Sequence, residues 1–208
     1  MIKQSKCKTC RRLGEKLFLR GDRCSSAKCT MVKRPYAPGQ KSKRRRSGLS
    51  EYGRELREKQ KIKKWYNLTE KEFKGYVSIL LNKRVDDVNS AFVSQIETRL
   101  DNIIFRLGFA KSRAEARQMV THGHFLVNGK RTDIPSQKLK IEDKITVREG
   151  SKEKGIFKDI QERIKKSALP AWLSIDNKTL EAEVKKYPKI EDVQLPGELS
   201  AVFEHYSR

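Results

Sequence analysis

All four cysteines of this 208-residue chain fall within its first 29 positions, as Cys7-x2-Cys10 and Cys24-x4-Cys29, with thirteen residues between the pairs. Two close thiol pairs on a short loop can fold back on one another and present four sulfurs tetrahedrally to one ion, so the spacing predicts a metal clip. Arg11, Arg12, Lys16, Arg20 and Arg23 lie in the same stretch and favour the thiolate form that a metal needs. Four thiolates accept zinc or an iron-sulfur cluster, and zinc is the expectation here. The competing reading is two disulfides or four unrelated buried thiols. Ser5, Lys6, Lys8 and Thr9 offer no apolar surroundings to bury a thiol, which weighs against it.

Charge is the second constraint. Lys and Arg number 48 against 26 Asp and Glu, a net +22 with the isoelectric point near 10.0. Residues 1–90 carry 26 basic and nine acidic side chains, and residues 91–208 carry 22 and 17. Such a field repels itself without a polyanion, so nucleic acid or an anionic membrane is the expected counterpart. The basic residues do not face a Trp/Phe/Leu stripe, which disfavours a membrane. With no signal peptide and no apolar stretch of spanning length, the expectation is a soluble, intracellular, cytoplasmic protein, where a reducing milieu favours metal over disulfides. Hydrophobic residues are 36% of the chain, so the cores should be small.

From Lys33 to Gly48 almost nothing can be buried. Pro35 and Pro38 stiffen the backbone, Gly39 permits a turn, and the segment should deliver Lys41, Lys43, Arg44, Arg45 and Arg46 to phosphates, with Tyr36 able to stack on a base. A solvated linker or a localisation signal is the bland alternative. Ser50 then caps a helix to about Tyr66 whose thin apolar side is Tyr52, Leu56 and Trp65. Arg54, Arg57, Lys61 and Lys64 recur at three- and four-residue spacing, aligning them as a phosphate-facing row unless they pair with their own helix. Glu51, Glu55, Glu58, Asp86 and Asp87 read as solvated charges.

Thr69 and Glu72 form a capping box before Phe73, Tyr76, Val77, Leu80 and Leu81, a core stripe. Another helix should run from Asn89 or Ser90 through Phe92, Ile96, Leu100, Ile103 and Leu107 to Gly108. Ser112 and Glu115 open a short helix ending near Gly123. Phe125-Leu-Val-Asn128-Gly129-Lys-Arg switches to a hairpin, and Ile145 and Val147 alternate in a later strand. On the short helix Arg113 and Arg117 share one side, with Lys111 before them and Lys130 and Arg131 at the hairpin tip. Together these can grip an RNA backbone. The fold class expected is α+β and mainly helical.

The run Arg99-Leu-Asp-Asn-Ile-Ile-Phe-Arg-Leu-Gly-Phe, continued by Lys111-Ser-Arg-Ala-Glu-Ala-Arg and Val127-Asn-Gly-Lys-Arg131, resembles the S-four RNA-binding domain. Arg34-Pro-Tyr-Ala-Pro-Gly-Gln, Leu49-Ser-Glu-Tyr-Gly, Leu56-Arg-Glu-Lys-Gln-Lys and Phe203-Glu-His-Tyr-Ser-Arg208 extend the resemblance, almost end to end, to the S-four family of bacterial small-subunit ribosomal proteins. The resemblance implies a metal clip and basic arm at 1–48. It also implies a discontinuous helical domain at 49–90 completed by 170–208, an inserted RNA-binding domain at 91–150, and a polar connector at 151–169. Trp172, Leu173, Ile175, Val202 and Phe203 would then seal the Phe73–Leu81 helix. Family membership further implies early binding to a junction of small-subunit ribosomal RNA, nucleation of subunit-body assembly, a part in decoding accuracy, and contact with the S-five neighbour and other small-subunit proteins. Arg44, Arg45 and Arg46 would meet ribosomal RNA or messenger RNA at the entry channel. Many relatives lack the cysteines, which places this chain in the metal-bearing branch.

His122 and His124 have no Cys nearby and no carboxylate at motif spacing, so a turn-and-packing role is expected. No phosphate-cradling glycine loop, nucleophile elbow or paired-acid arrangement is present, and no enzymatic turnover is expected. An RNA-modifying enzyme that borrows the same RNA-binding domain would need a catalytic domain that 208 assigned residues leave no room for. A zinc-dependent DNA regulator would need an amphipathic helix poised for a major groove after the clip.

Overall fold

The computed structural model describes residues 6–39, 48–83, 86–157, 159–166, 168–176 and 179–207. Its helices are α1 (Lys6–Leu13), α2 (Asp22–Ser25), α3 (Thr30–Lys33), α4 (Glu51–Trp65), α5 (Glu70–Lys83), α6 (Val88–Glu97), α7 (Leu100–Arg106), α8 (Arg113–Thr121), α9 (Glu149–Lys152), α10 (Ile160–Lys166) and α11 (Leu199–Ser207). The strands are β1 (Phe125–Val127), β2 (Lys130–Thr132), β3 (Lys144–Val147), β4 (Leu173–Asp176) and β5 (Glu181–Val184). The chain is mainly helical with one small antiparallel sheet. It divides into two compact units, Met1–Arg84 with Leu195–Arg208, and Val85–Gln194. None of the helices among the described residues is long and apolar enough to cross a membrane.

In the first unit, Ser50 accepts from the Gly53 amide at 3.2 Å and starts α4. Thr69 and Glu72 exchange hydrogen bonds, amide to carboxylate at 2.8 Å and amide to hydroxyl at 3.2 Å, and so open α5 as their spacing predicts. Phe73, Val77 and Leu80 are buried, whereas Leu81 is exposed. Helix α11 closes the unit by packing on α4 and α5 through Val202. The inner side of α4 is only in part the expected Tyr52, Leu56 and Trp65: Trp65 packs against the Cys10, Leu13 and Leu17 cluster and Leu56 is half-buried. Tyr52 is 53% exposed, and the buried positions are Glu55, Lys59, Ile62 and Lys63. Three charged residues go inward because α5 and α11 bring partners. Lys59 and Lys63 both pair with Glu70, and His205 stands 3.7 Å from Glu55. Glu55 is therefore not a solvated charge.

In the second unit the sheet order is β2-β1-β3-β5-β4, antiparallel throughout. Asn128 and Gly129 both take positive φ, +49° and +76°, as a two-residue hairpin turn requires. Phe125, Val127, Ile145, Val147, Ala182 and Val184 point from the strands into one core with α7 and α8. The helix expected from residue 89 to 107 is two helices. Asp87 caps α6 by accepting from Ser90, and Arg99 is extended, where its bridge to Lys138 and the flanking bonds Leu139 N–H to Thr98 C=O and Leu100 N–H to Gln137 C=O replace the helical ladder.

The tail also differs from expectation. Trp172 and Leu173 are buried in the second unit's core, with Ile175 packed against it, so they do not seal the Phe73–Leu81 helix. Strand β5 pairs with β3, and β4 pairs with β5 at the sheet edge, because Trp172-Leu-Ser-Ile-Asp and Glu-Ala-Glu-Val alternate with period two. The polar connector contributes core as well. Phe157, Ile160 and Ile164 recur at helical spacing and are buried among the same residues.

Candidate nucleic-acid interface

Cys7, Cys10, Cys24 and Cys29 are free thiols, the last three buried, and all four line one small pocket with Lys6, Lys16, Phe18 and Arg20. Arg20 donates from its amide to Cys24 Sγ at 3.4 Å and from Nη1 to Cys7 Sγ at 3.7 Å. Burial opposes ionisation of Cys7, but hydrogen bonds from Thr30 and Arg20 and the charges of Arg20 and Arg23 outweigh it and lower its pKa. Cys10 is pushed up, first by burial and then by the neighbouring Cys24, Cys7 and Cys29. Of the other expected cations, Arg11 bonds the Tyr36 carbonyl, and Lys16 stands over Phe18 at the edge of the same pocket. Among the described residues, no group of three or more His, Cys, Asp or Glu is placed to hold a metal ion.

Lys41, Lys43, Arg44, Arg45 and Arg46 lie outside the described residues. The row on α4 is largely absorbed by the protein. Arg57 donates to the Leu13 carbonyl from Nε at 3.0 Å and Nη2 at 2.5 Å. Lys61 pairs with Glu15 at 3.0 Å and Glu58 at 2.8 Å; burial works against its charge, and the two carboxylates raise its pKa regardless. Lys64 is partly buried, and that burial together with Lys63 lowers its pKa. Arg54 is exposed.

On the second unit, Ser112 caps α8 by accepting from the Glu115 amide, and Glu115 accepts from the Lys111 amide at 2.7 Å. Lys111, Lys130 and Arg131 are exposed. Arg113 is not. It is 9% exposed, donates from Nε to Asn102 at 2.8 Å and lies 4.5 Å over the Phe105 ring, so the expected pairing of Arg113 with Arg117 as one outward grip does not form. Arg117 has a third of its side chain exposed and stands 3.7 Å from Asp101. The Arg131 guanidinium crosses Gly123, where an added Cβ would come within 2.5 Å of it.

Beneath this surface lies a polar lattice that periodicity did not reveal. Glu97, fully buried, accepts from Arg106 through Nη2 at 2.6 Å and Nε at 2.9 Å, and also from Asn102. Arg99, equally buried, binds Asp101 at 2.7 Å and 3.0 Å. The signal available was the density of charged residues on a stripe that also carries Leu100, Ile103 and Leu107. His124 is packed, as expected for it, with Nδ1 2.9 Å from Ser151 Oγ and its ring edge-on to Phe157.

Residues 1–97 match the family model described as the Ribosomal protein S4/S9 N-terminal domain, and residues 98–145 match the S4 domain. The small ribosomal subunit protein uS4 of Oleidesulfovibrio alaskensis is 46% identical over 205 residues, covering 98% of this chain and 97% of that one. The chain belongs to the uS4 family. The uS4 protein of Dehalococcoides mccartyi is 46% identical over 202 residues and that of Thermotoga petrophila 43% over 203, each covering 97% of this chain and 96% of its own. A uS4 protein is a structural component of the small ribosomal subunit and not an enzyme. The S4-domain match ends inside β3, and β4 and β5, beyond the matched residues, continue the same sheet.

Proposed function

We propose that this uS4 protein is a primary binder of small-subunit ribosomal RNA in the cytoplasmic ribosome, where it nucleates assembly of the subunit body and contributes to translational accuracy. The observation that carries the reading is the set of exposed cations, Lys111, Lys130 and Arg131, fixed on a helix start and a hairpin tip over a buried polar lattice. Charges held by a rigid framework need little further ordering when they meet phosphates. Arg117 and Arg54 extend the set. Lys41, Lys43, Arg44, Arg45 and Arg46 are assigned to ribosomal RNA or to messenger at the entry channel, and the S-five protein is the proposed neighbour. Footprinting of naked small-subunit RNA with the purified chain tests this: the reading requires protection at a folded junction, and uniform weak protection along the transcript contradicts it.

We infer, further, that Cys7, Cys10, Cys24 and Cys29 hold zinc. Support comes from the donor set, four thiols outside any disulfide lining one pocket, with the Arg20 guanidinium donating to Cys7 beside them. Bound zinc would supply the cationic charge that offsets repulsion among thiolates and would tie α1, α2 and α3 together. Metal analysis of protein purified without chelator checks it. One zinc per chain is the expected stoichiometry, and iron with a cluster absorbance is the alternative outcome.

A further inference from the structure

Phe18 is held in a backbone conformation that bulky side chains seldom adopt, with φ at +50°. The strain serves no burial of its ring. Leu17 before it is 2% exposed in the small cluster with Cys10 and Leu13, Leu19 after it packs on the same cluster, and Phe18 between them is 49% exposed. The left-handed turn thus keeps two leucines inward while it presents an aromatic ring to solvent, in a chain that has few apolar residues to spare. The surroundings are cationic. Lys16 Nζ stands 5.8 Å from the ring centroid, and Lys6 and Arg20 line the same pocket edge as Phe18. Tyr36 offers a contrast: Arg11 lies 5.0 Å over its ring while bonding its carbonyl, which commits that ring to the protein.

We propose that Phe18 is a stacking platform for an unpaired RNA base, with Lys16 and Arg20 placed for the adjoining phosphates. Every nucleobase has a π-face, so an exposed ring flanked by cations binds single-stranded nucleotides through stacking and charge without reading sequence. A cationic rim disfavours a protein partner's apolar surface less than it favours a polyanion, and with a net charge of +22 the polyanion is the better-matched occupant. The proposal deepens the ribosomal-RNA reading and rests on it.

The test uses the full chain with Phe18→Ala, Phe18→Leu and Phe18→Trp, each titrated against the small-subunit RNA transcript and against a fully paired RNA duplex. Loss of a stack is expected to weaken transcript binding roughly tenfold for both Ala and Leu, with Trp close to the parent, duplex binding unchanged and the salt dependence unaltered. Leu and Trp both keep apolar bulk, so their difference isolates the ring even if the Ala variant loosens the cysteine segment. Parent-like binding by Phe18→Leu overturns the proposal. So does an equal loss on duplex, or an unchanged affinity for RNA accompanied by lost capture of another small-subunit protein. If the unsubstituted chain itself fails to prefer the transcript, the ribosomal-RNA reading falls instead.

Discussion

Arg57 reaches from α4 to the carbonyl of Leu13, the last residue of α1, and donates to it twice, at 3.0 Å and 2.5 Å. Gly14 completes the contact. Its φ is +75°, and a Cβ there would come within 2.6 Å of Arg57 Nη2, so a side chain would both strain the backbone and displace the guanidinium. An arginine that sequence spacing assigns to phosphate thus anchors the cysteine segment to the helical part of its own unit.

Arg57→Ala should therefore loosen residues 6–33 before it weakens RNA contact. Charge-assisted hydrogen bonds of this kind contribute about 2 kcal/mol, reduced here by partial exposure. Hydrogen exchange of α1 amides measures the effect, with faster exchange expected in α1 and no change in α7 or α8. Gly14→Ala should act in the same direction.

Removing Glu97 should be among the most damaging single changes in the second unit. Arg106 and Asn102 would lose their shared carboxylate in a buried site, at a cost of about 3–5 kcal/mol. Denaturant midpoints of Glu97→Ala against Lys130→Ala and Arg131→Ala check this. The surface variants should stay within about 0.5 kcal/mol of the parent. Each should instead reduce the log–log salt slope of RNA binding by about one unit, which Glu97→Ala cannot do without unfolding.

Glu70 should govern an acid-side loss of stability in the first unit. Burial opposes its charge, but hydrogen bonds from Lys59, Lys63 and Tyr206 outweigh burial and lower its pKa from 4.5 to about 2. A folded value below the unfolded one means that the contribution is complete above about pH 4.5 and is lost as pH falls toward 2. The side chain is 48% exposed, so screening keeps the effect modest and salt should reduce it further. Unfolding midpoints of Glu70→Gln between these pH values should be flatter than those of the parent.

His124 gives the second unit a different pH dependence. Burial lowers its pKa, and Lys154, His122 and Arg148 add to the effect, so the folded state favours neutral imidazole. Stability is then full above about pH 6.5 and declines as pH falls through the folded value. His124→Asn, which keeps a group for Ser151, should abolish that slope while starting from a lower baseline.

Local signals were the legible part of this fold. Ser50, Thr69 with Glu72, Ser112 with Glu115, and Asn128-Gly129 each act within four residues, and each element opens or turns where its side-chain chemistry dictates. What escaped was set by distant partners. The burial of Glu55, Lys59 and Lys63 follows from Glu70 and His205, and that of Arg113 from Asn102 and Phe105. A helical periodicity running from Phe92 to Leu107 cannot show that Gln137 and Leu139 will take over the backbone bonds at its middle. The strands β4 and β5 carry a readable alternation, but the family resemblance places residues 170–208 in the helical domain. Among the candidate RNA residues, exposure separated Lys111, Lys130 and Arg131 from Arg57, Lys61 and Arg113, and no spacing rule encodes that difference.

Cys10→Ser should disorder the chain up to about Lys33 while leaving the S4 domain folded, because a segment with so small a core depends on its proposed metal. Limited proteolysis reads this directly, and the same cleavage pattern should follow treatment of the parent with a chelator. Unchanged resistance in both would argue that no metal holds the segment.

The most direct test of the central claim is competition binding of the full chain between small-subunit ribosomal RNA and an arbitrary RNA of equal length, across a range of salt. Fixed cations on a folded framework predict a preference for the ribosomal transcript that persists as salt rises, together with a steep slope from several phosphate contacts. Equal affinity for the two at every salt concentration would contradict it.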